Sequence, residues 1–210
     1  MIYTINSTND KGLERIFKES MRDLKKFYEL NWVDHIPRVI VVPNRKTIDL
    51  LRGMKTEPWL LGWADGRMVY ILDSMNFEKE SNHKYNSARY YSLLKHELSH
   101  AFYHIISHGQ YIPVWLCEGV AIYTAGQIKE KTRPTKFKEF LKFQKEGGKG
   151  VYSESGFAVE LLVKKFGKQK LLKLIKGLKE NKSRSEFEKW FKTIYKFKPT
   201  YKEFNRLYLE

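Results

Sequence analysis

The 210-residue chain is 42% hydrophobic and 15% aromatic, enough to bury a core and too apolar for disorder, so it fits one domain or two small lobes sharing a cleft. A single cysteine, Cys117, excludes an internal disulfide and a multi-cysteine zinc knuckle. The formal charge of +15, from 39 Lys+Arg against 24 Asp+Glu, permits nucleic acid as a partner but does not favour it: no dense basic run with interleaved aromatics is present, and lysines solvating helix faces account for the excess.

In chain order, residues 1–5 read as a short strand, and Asp10 offers an N-cap for a helix to about Leu30, with Leu13, Ile16, Phe17, Leu24, Phe27 and Tyr28 on one face. The start lacks the charged and apolar regions of a secretory signal, and the longest aliphatic run, Val39 to Val42, is far too short to span a bilayer. A cytoplasmic protein with no transmembrane segment is therefore expected. Residues 38–42 form a β-branched run that ends at Pro43 and predict a buried strand; residues 47–52 predict a short helix stopped by Gly53. Two apolar runs, 59–64 and 68–72, flank Asp65-Gly66 and predict a β-hairpin. Residues 74–86 are polar and read as a loop. Helices are then expected near 87–107, 114–130, 135–145, 152–166, 168–180, 184–195 and 200–208. The fold class is α+β: a mixed N-terminal lobe over 1–107 ending in the helix that carries the metal ligands, and a helical C-terminal lobe over 108–210.

His96-Glu97-Leu98-Ser99-His100 is an HExxH sequence inside a predicted helix. Side chains four apart stand one turn apart on the same face, so both imidazoles can reach one ion, and Glu97 sits beside the first of them without occupying the metal. Imidazole nitrogens suit zinc, and a catalytic zinc keeps a position open for water, which a neighbouring glutamate can deprotonate. Two histidines need a third ligand, and Glu118 in Trp115-Leu116-Cys117-Glu118-Gly119-Val120-Ala121 supplies one on the next helix, with seventeen residues between it and His100.

HELSH followed by PVWLCEGVAIY resembles the gluzincin metallopeptidases, and its WLxEGxA form is similar to the aminopeptidase N-like, peptidase MA-like branch. The resemblance spans about residues 59–180, with its specific residues in 96–121 and a weaker echo at 152–167. It implies a zincin-like architecture with Zn2+ held by His96, His100 and Glu118, Glu97 as general base, and a peptide or protein substrate. Gly119 and Ala121 are expected to let the zinc helix and the Glu118 helix approach closely, with Trp115 and Leu116 anchoring the latter. The resemblance also implies that the hairpin lends an edge strand to the substrate; 62–64 and 67–72 are the matching stretch, with Met68 to Asp73 as the cleft rim. Tyr152, at a Gly-rich junction, matches the tyrosine that donates to the oxyanion, with Tyr123 as the reserve candidate. The segment by which aminopeptidase N-like enzymes grip a free N-terminus has no counterpart near 62–76, so endopeptidase or oligopeptidase action is expected.

Other residues read as structural. His104 and His108 continue the four-residue series but lie one and two turns beyond the site. Tyr103 and Ile106 stand where a metzincin needs glycine and histidine. Cys117 points about 100° away from Glu118 on a 3.6-residue helix and reads as a small buried hydrophobe. His35 and His83 fall in loops. Phe187, Trp190, Phe191 and Tyr195 recur at helical spacing and read as core. Two alternatives compete: a SprT-like DNA-associated protease with His108 as third ligand, and a non-catalytic binding protein whose zinc braces two helices, which Glu97 argues against.

Overall fold

The computed structural model describes residues 7–144 and 149–210; the strand expected at 1–5 lies outside them. The described chain is α+β and mostly helical, with one three-stranded sheet. Helix α1 (Lys11–Tyr28) starts where Asp10 accepts the Leu13 N–H at 2.9 Å and ends with Leu24 and Tyr28 fully buried. Strand β1 (Arg38–Val42) leads into α2 (Arg45–Arg52), two residues longer at its start than expected because Asn44 caps it by accepting from Thr47 N at 2.9 Å.

The hairpin forms across Asp65-Gly66 as β2 (Gly62–Asp65) and β3 (Met68–Leu72). Its place in the sheet corrects an expectation. The strand order is β1-β3-β2, with β3 parallel to β1 and antiparallel to β2. Residues 68–72 are therefore the middle strand, with ladders on both sides, and cannot form a rim that accepts another strand. Among the described strands β2 is the edge on the hairpin side.

Helix α3 (Ser87–Ile106), capped by Asn86, is the axis of the molecule: it packs on β2 and β3, on α1 and on α4 (Val114–Thr124). Gly62, Val69 and Ile71 face it, while Trp63 and Tyr70 stack on the other face of the sheet at 4.4 Å. Tyr28, Ser99 and Thr124 join α1, α3 and α4 through a buried hydroxyl chain with oxygens 2.7 and 2.8 Å apart.

The helix expected over 114–130 stops at Thr124. Gly126 adopts φ 75°, a left-handed conformation that ends α-helices at little cost for glycine, and a 3₁₀ turn follows at Gln127–Glu130. The helix expected over 135–145 is absent from its described part: up to 144 the segment is an irregular strap. Its apolar residues insert into the helical core, with Phe140 ringed by Trp115, Phe137, Tyr201 and Phe204 at 5.0–5.8 Å. Side chains satisfy its backbone in place of a helical ladder. Asn205 accepts from Phe137 N and donates to Phe137 O, Glu154 accepts from Lys138 N and Glu139 N at 2.9 and 3.0 Å, and Tyr201 accepts from Leu141 N.

Helix α5 (Lys149–Phe166) packs on α4 through two glycines: a Cβ at Gly119 would stand 2.7 Å from the Ser155 carbonyl oxygen, and one at Gly156 would meet Ile122 Cγ2. Gly119 thus serves the α4–α5 contact rather than the α3–α4 contact expected of it. Helix α6 (Lys168–Lys176) gives way to a 3₁₀ turn at Gly177–Glu180, where the Trp190 indole lies over Gly177 and donates to Leu174 O at 3.2 Å. Helices α7 (Arg184–Tyr195) and α8 (Tyr201–Leu209) complete the chain, with Phe187, Phe191 and Tyr195 buried as expected, Trp190 partly buried against the core, and Phe204 of α8 buried as well. No helix among the described residues is long and apolar enough to cross a membrane.

Charge is unevenly divided. Residues 161–210 hold 15 Lys+Arg against 5 Asp+Glu, which is +10 of the chain's +15. Their basic side chains are exposed, apart from the half-buried Lys168; the lysines do cover helix faces, with four on α1 and four on α6.

Candidate metal centre

His96 and His100 stand one turn apart on α3 with their Nε2 atoms 3.0 Å apart. Glu118, in the second turn of α4, brings Oε2 to 3.5 Å from His96 Nε2 and 3.7 Å from His100 Nε2. Three ligand atoms on a tetrahedral ion at about 2.0–2.1 Å lie about 3.3–3.4 Å from one another, so the observed triangle matches one face of such a tetrahedron. His96, His100 and Glu118 form a group that can hold a metal ion.

The outer ring nitrogens define the same geometry. His96 Nδ1 is 3.0 Å from Gln127 Oε1, an atom that only accepts, a contact that favours the ring proton on Nδ1 and the Nε2 lone pair for an ion. His100 Nδ1 is 3.3 Å from Cys117 Sγ. Burial pushes the Cys117 thiol well above its ordinary pKa, reinforced by the Glu118 and Glu97 carboxylates, and so keeps it neutral. At these distances the three ligand atoms suit a positive charge among them, whether a proton on His96 or a bound cation. The donor set fits a divalent cation.

The titration of the ligands reflects the same crowding. Burial lowers His96, but its hydrogen bond to Glu118 and the charges of Glu97 and Glu118 outweigh that and raise it. Burial drives His100 down to about 4, against the pull of Glu118 and with the push of His96. Glu97, 6% exposed, is raised to about 7 by burial; His96 opposes the rise and Glu118 adds to it. Gly62 of β2 lies directly over Glu97: a Cβ there would come within 3.1 Å of Glu97 Cγ and 2.7 Å of the Tyr70 carbonyl oxygen. The absence of a side chain at position 62 lets the edge strand lie against the glutamate.

Tyr152 stands in the first turn of α5 with its ring 42% exposed. Desolvation of its hydroxyl, then Glu118, Glu97 and Cys117, raise its pKa, so the phenol shares the field of the cluster. Tyr123 does not. Its ring lies 6.0 Å from that of Phe27, and burial and Glu160 raise its pKa, on the far side of α4 from Glu118. His104 is half-buried and stacks on Tyr111 at 5.0 Å, one turn beyond the group. His108, the third ligand of the SprT-like alternative, is exposed in the turn after α3 with φ 54°, outside the group.

Two residues at the site escape a sequence reading. Gln127 falls where a continuous helix is expected; Gly126 just before it was the available signal for a chain reversal. Cys117 is buried as expected, yet its sulfur also meets His100, because α4 crosses α3 closely enough for adjacent residues 117 and 118 to reach opposite edges of one imidazole. Comparison of the chain with protein-family models, with curated proteins and with solved structures finds no match.

Proposed function

We propose that this protein is a zinc-dependent peptidase of the gluzincin kind, with His96, His100 and Glu118 as metal ligands and Glu97 as general base. The observation that carries the reading is the convergence of three ligand atoms at tetrahedral spacing beside a buried carboxylate that is not one of them. A purely structural zinc site closes its coordination with protein ligands and needs no base. Zinc held there would lower the pKa of a water molecule and polarise a carbonyl.

The rest falls to the protein's own side chains. Glu97 takes the proton of the attacking water and passes it to the leaving amine. The Tyr152 hydroxyl donates to the oxygen that gains negative charge at the scissile carbon. An extended peptide pairs with the outer edge of β2, where Gly62 abuts Glu97, so the strand that aligns the substrate also sets its distance from the base. A substrate held by its backbone does not need a free terminus, which supports endopeptidase or oligopeptidase action.

The test is metal content together with cleavage of a fluorogenic peptide library, for the parent and for Glu97→Gln. We expect one zinc per chain in both proteins, and cleavage reduced about 10²–10⁴-fold in the variant, the usual contribution of a general base. Zinc in both proteins with no cleavage by the parent would sink the peptidase reading and leave a structural site.

A further inference from the structure

Helix α4 and the turn that follows it contribute more to the site than the ligand Glu118. Cys117, Glu118 and Gln127 lie within eleven consecutive residues, and all three address the two histidines of α3. We infer that Gln127 and Cys117 are positioning residues of the metal centre, which fix the tautomer and ring orientation of His96 and His100 respectively. This inference rests on the metal-site reading above.

A neutral imidazole has one proton, and the metal takes the nitrogen without it. Whatever accepts from the outer nitrogen therefore decides which nitrogen is left for the ion, and resists rotation of the ring. Gln127 Oε1, at 3.0 Å from His96 Nδ1, is a strong acceptor. Its amide arrives there because Gly126, at φ 75°, reverses the chain after α4 and directs residue 127 back towards α3. Cys117 Sγ, at 3.3 Å from His100 Nδ1, is a weak acceptor with a softer hold on its ring. An amide carries no charge, whereas a carboxylate would make the imidazole more basic and bind the ion more tightly. The centre is thereby built with an unequal pair: His96 set by an amide oxygen at 3.0 Å, His100 by a sulfur at 3.3 Å.

The experiment measures Zn2+ affinity of the full-length chain by competition with a chromogenic chelator, and records the visible spectrum of the Co2+-loaded protein. The thermal midpoint of each metal-stripped protein serves as the folding control. Gln127→Ala is expected to weaken zinc about 10–100-fold, the range for loss of such a partner, and to shift the Co2+ bands. Gln127→Glu should restore or exceed parental affinity. Cys117→Ala should weaken zinc less than Gln127→Ala does, and Cys117→Ser should recover most of that loss. Parental affinity in Gln127→Ala, or an equal loss in Gln127→Ala and Gln127→Glu with unchanged thermal midpoints, would overturn the inference. Should the parent bind no zinc, the metal reading itself fails, and this inference with it; parental binding that is indifferent to both positions overturns the inference alone.

Discussion

The two helices that bring His96, His100 and Glu118 together reach the candidate metal centre by different routes. On α3 the geometry is local: four residues of helix place His96 and His100 Nε2 within 3.0 Å of each other. On α4 it is assembled from a distance. Pro113 precedes that helix and offers no side-chain cap, and the first two N–H groups, of Val114 and Trp115, donate instead to the carbonyls of Phe143 and Lys142 in the strap. The strap is in turn held by Glu154 of α5 and by Tyr201 and Asn205 of α8. One half of the site is written in a five-residue motif, and the other depends on residues up to 87 positions further along the chain, at Asn205.

If that contrast holds, damage to the strap should reach Glu118 while leaving the histidine pair intact. The largest effect is expected of Phe140→Ala, which empties a fully buried ring site beside Trp115 and should cost about 3–5 kcal/mol of stability. Denaturant unfolding measures the loss, and zinc affinity under native conditions should fall with it; unchanged affinity in a destabilised variant would show that Glu118 does not rely on the strap. A smaller effect, about 1–3 kcal/mol, is expected of Gly119→Ala, because the added methyl would meet the Ser155 carbonyl oxygen at 2.7 Å and push α4 away from α5. A rise in thermal midpoint would contradict that contact.

The smallest effect belongs to Glu160 of α5, which pairs with Arg133, just before the strap, at 2.8 Å and with Lys164 of its own helix at 2.7 Å. Burial raises its carboxyl pKa, but these two cations outweigh that and hold it below the ordinary 4.5. A depressed folded pKa gives stability that is present above the unfolded value and lost as the pH falls through the folded one. Both cations are largely exposed, so Glu160→Gln should cost only about 1 kcal/mol at pH 7. The difference from the parent should shrink below pH 4.5; a gap that widens there would reverse the sign.

The same contrast explains what the sequence discloses. Helix α3, the hairpin turn at Asp65-Gly66 and the pair His96 and His100 follow from periodicity, turn chemistry and spacing, all of which operate within a few residues, whereas Glu118 is legible through the resemblance carried by its WLCEGVA segment. Three features follow from neither. The strap carries Phe137, Phe140 and Leu141 at helix-like intervals, yet its backbone partners are Glu154, Asn205 and Tyr201, which nothing local announces. The order β1-β3-β2 depends on a parallel pairing between β1 and β3, separated by α2 and β2, so the hairpin alone could not show which of its strands was the edge. Gln127 joins the site only through the left-handed residue before it.

Charge is divided unevenly along the chain, with +10 of the +15 on the last fifty residues. Salt screens exposed charges that stand further apart than a Debye length, about 8 Å at physiological ionic strength. An approach of α6 and α7 to a polyanion would therefore be governed by salt rather than by the chemistry proposed for the cleft, and the two could be altered separately.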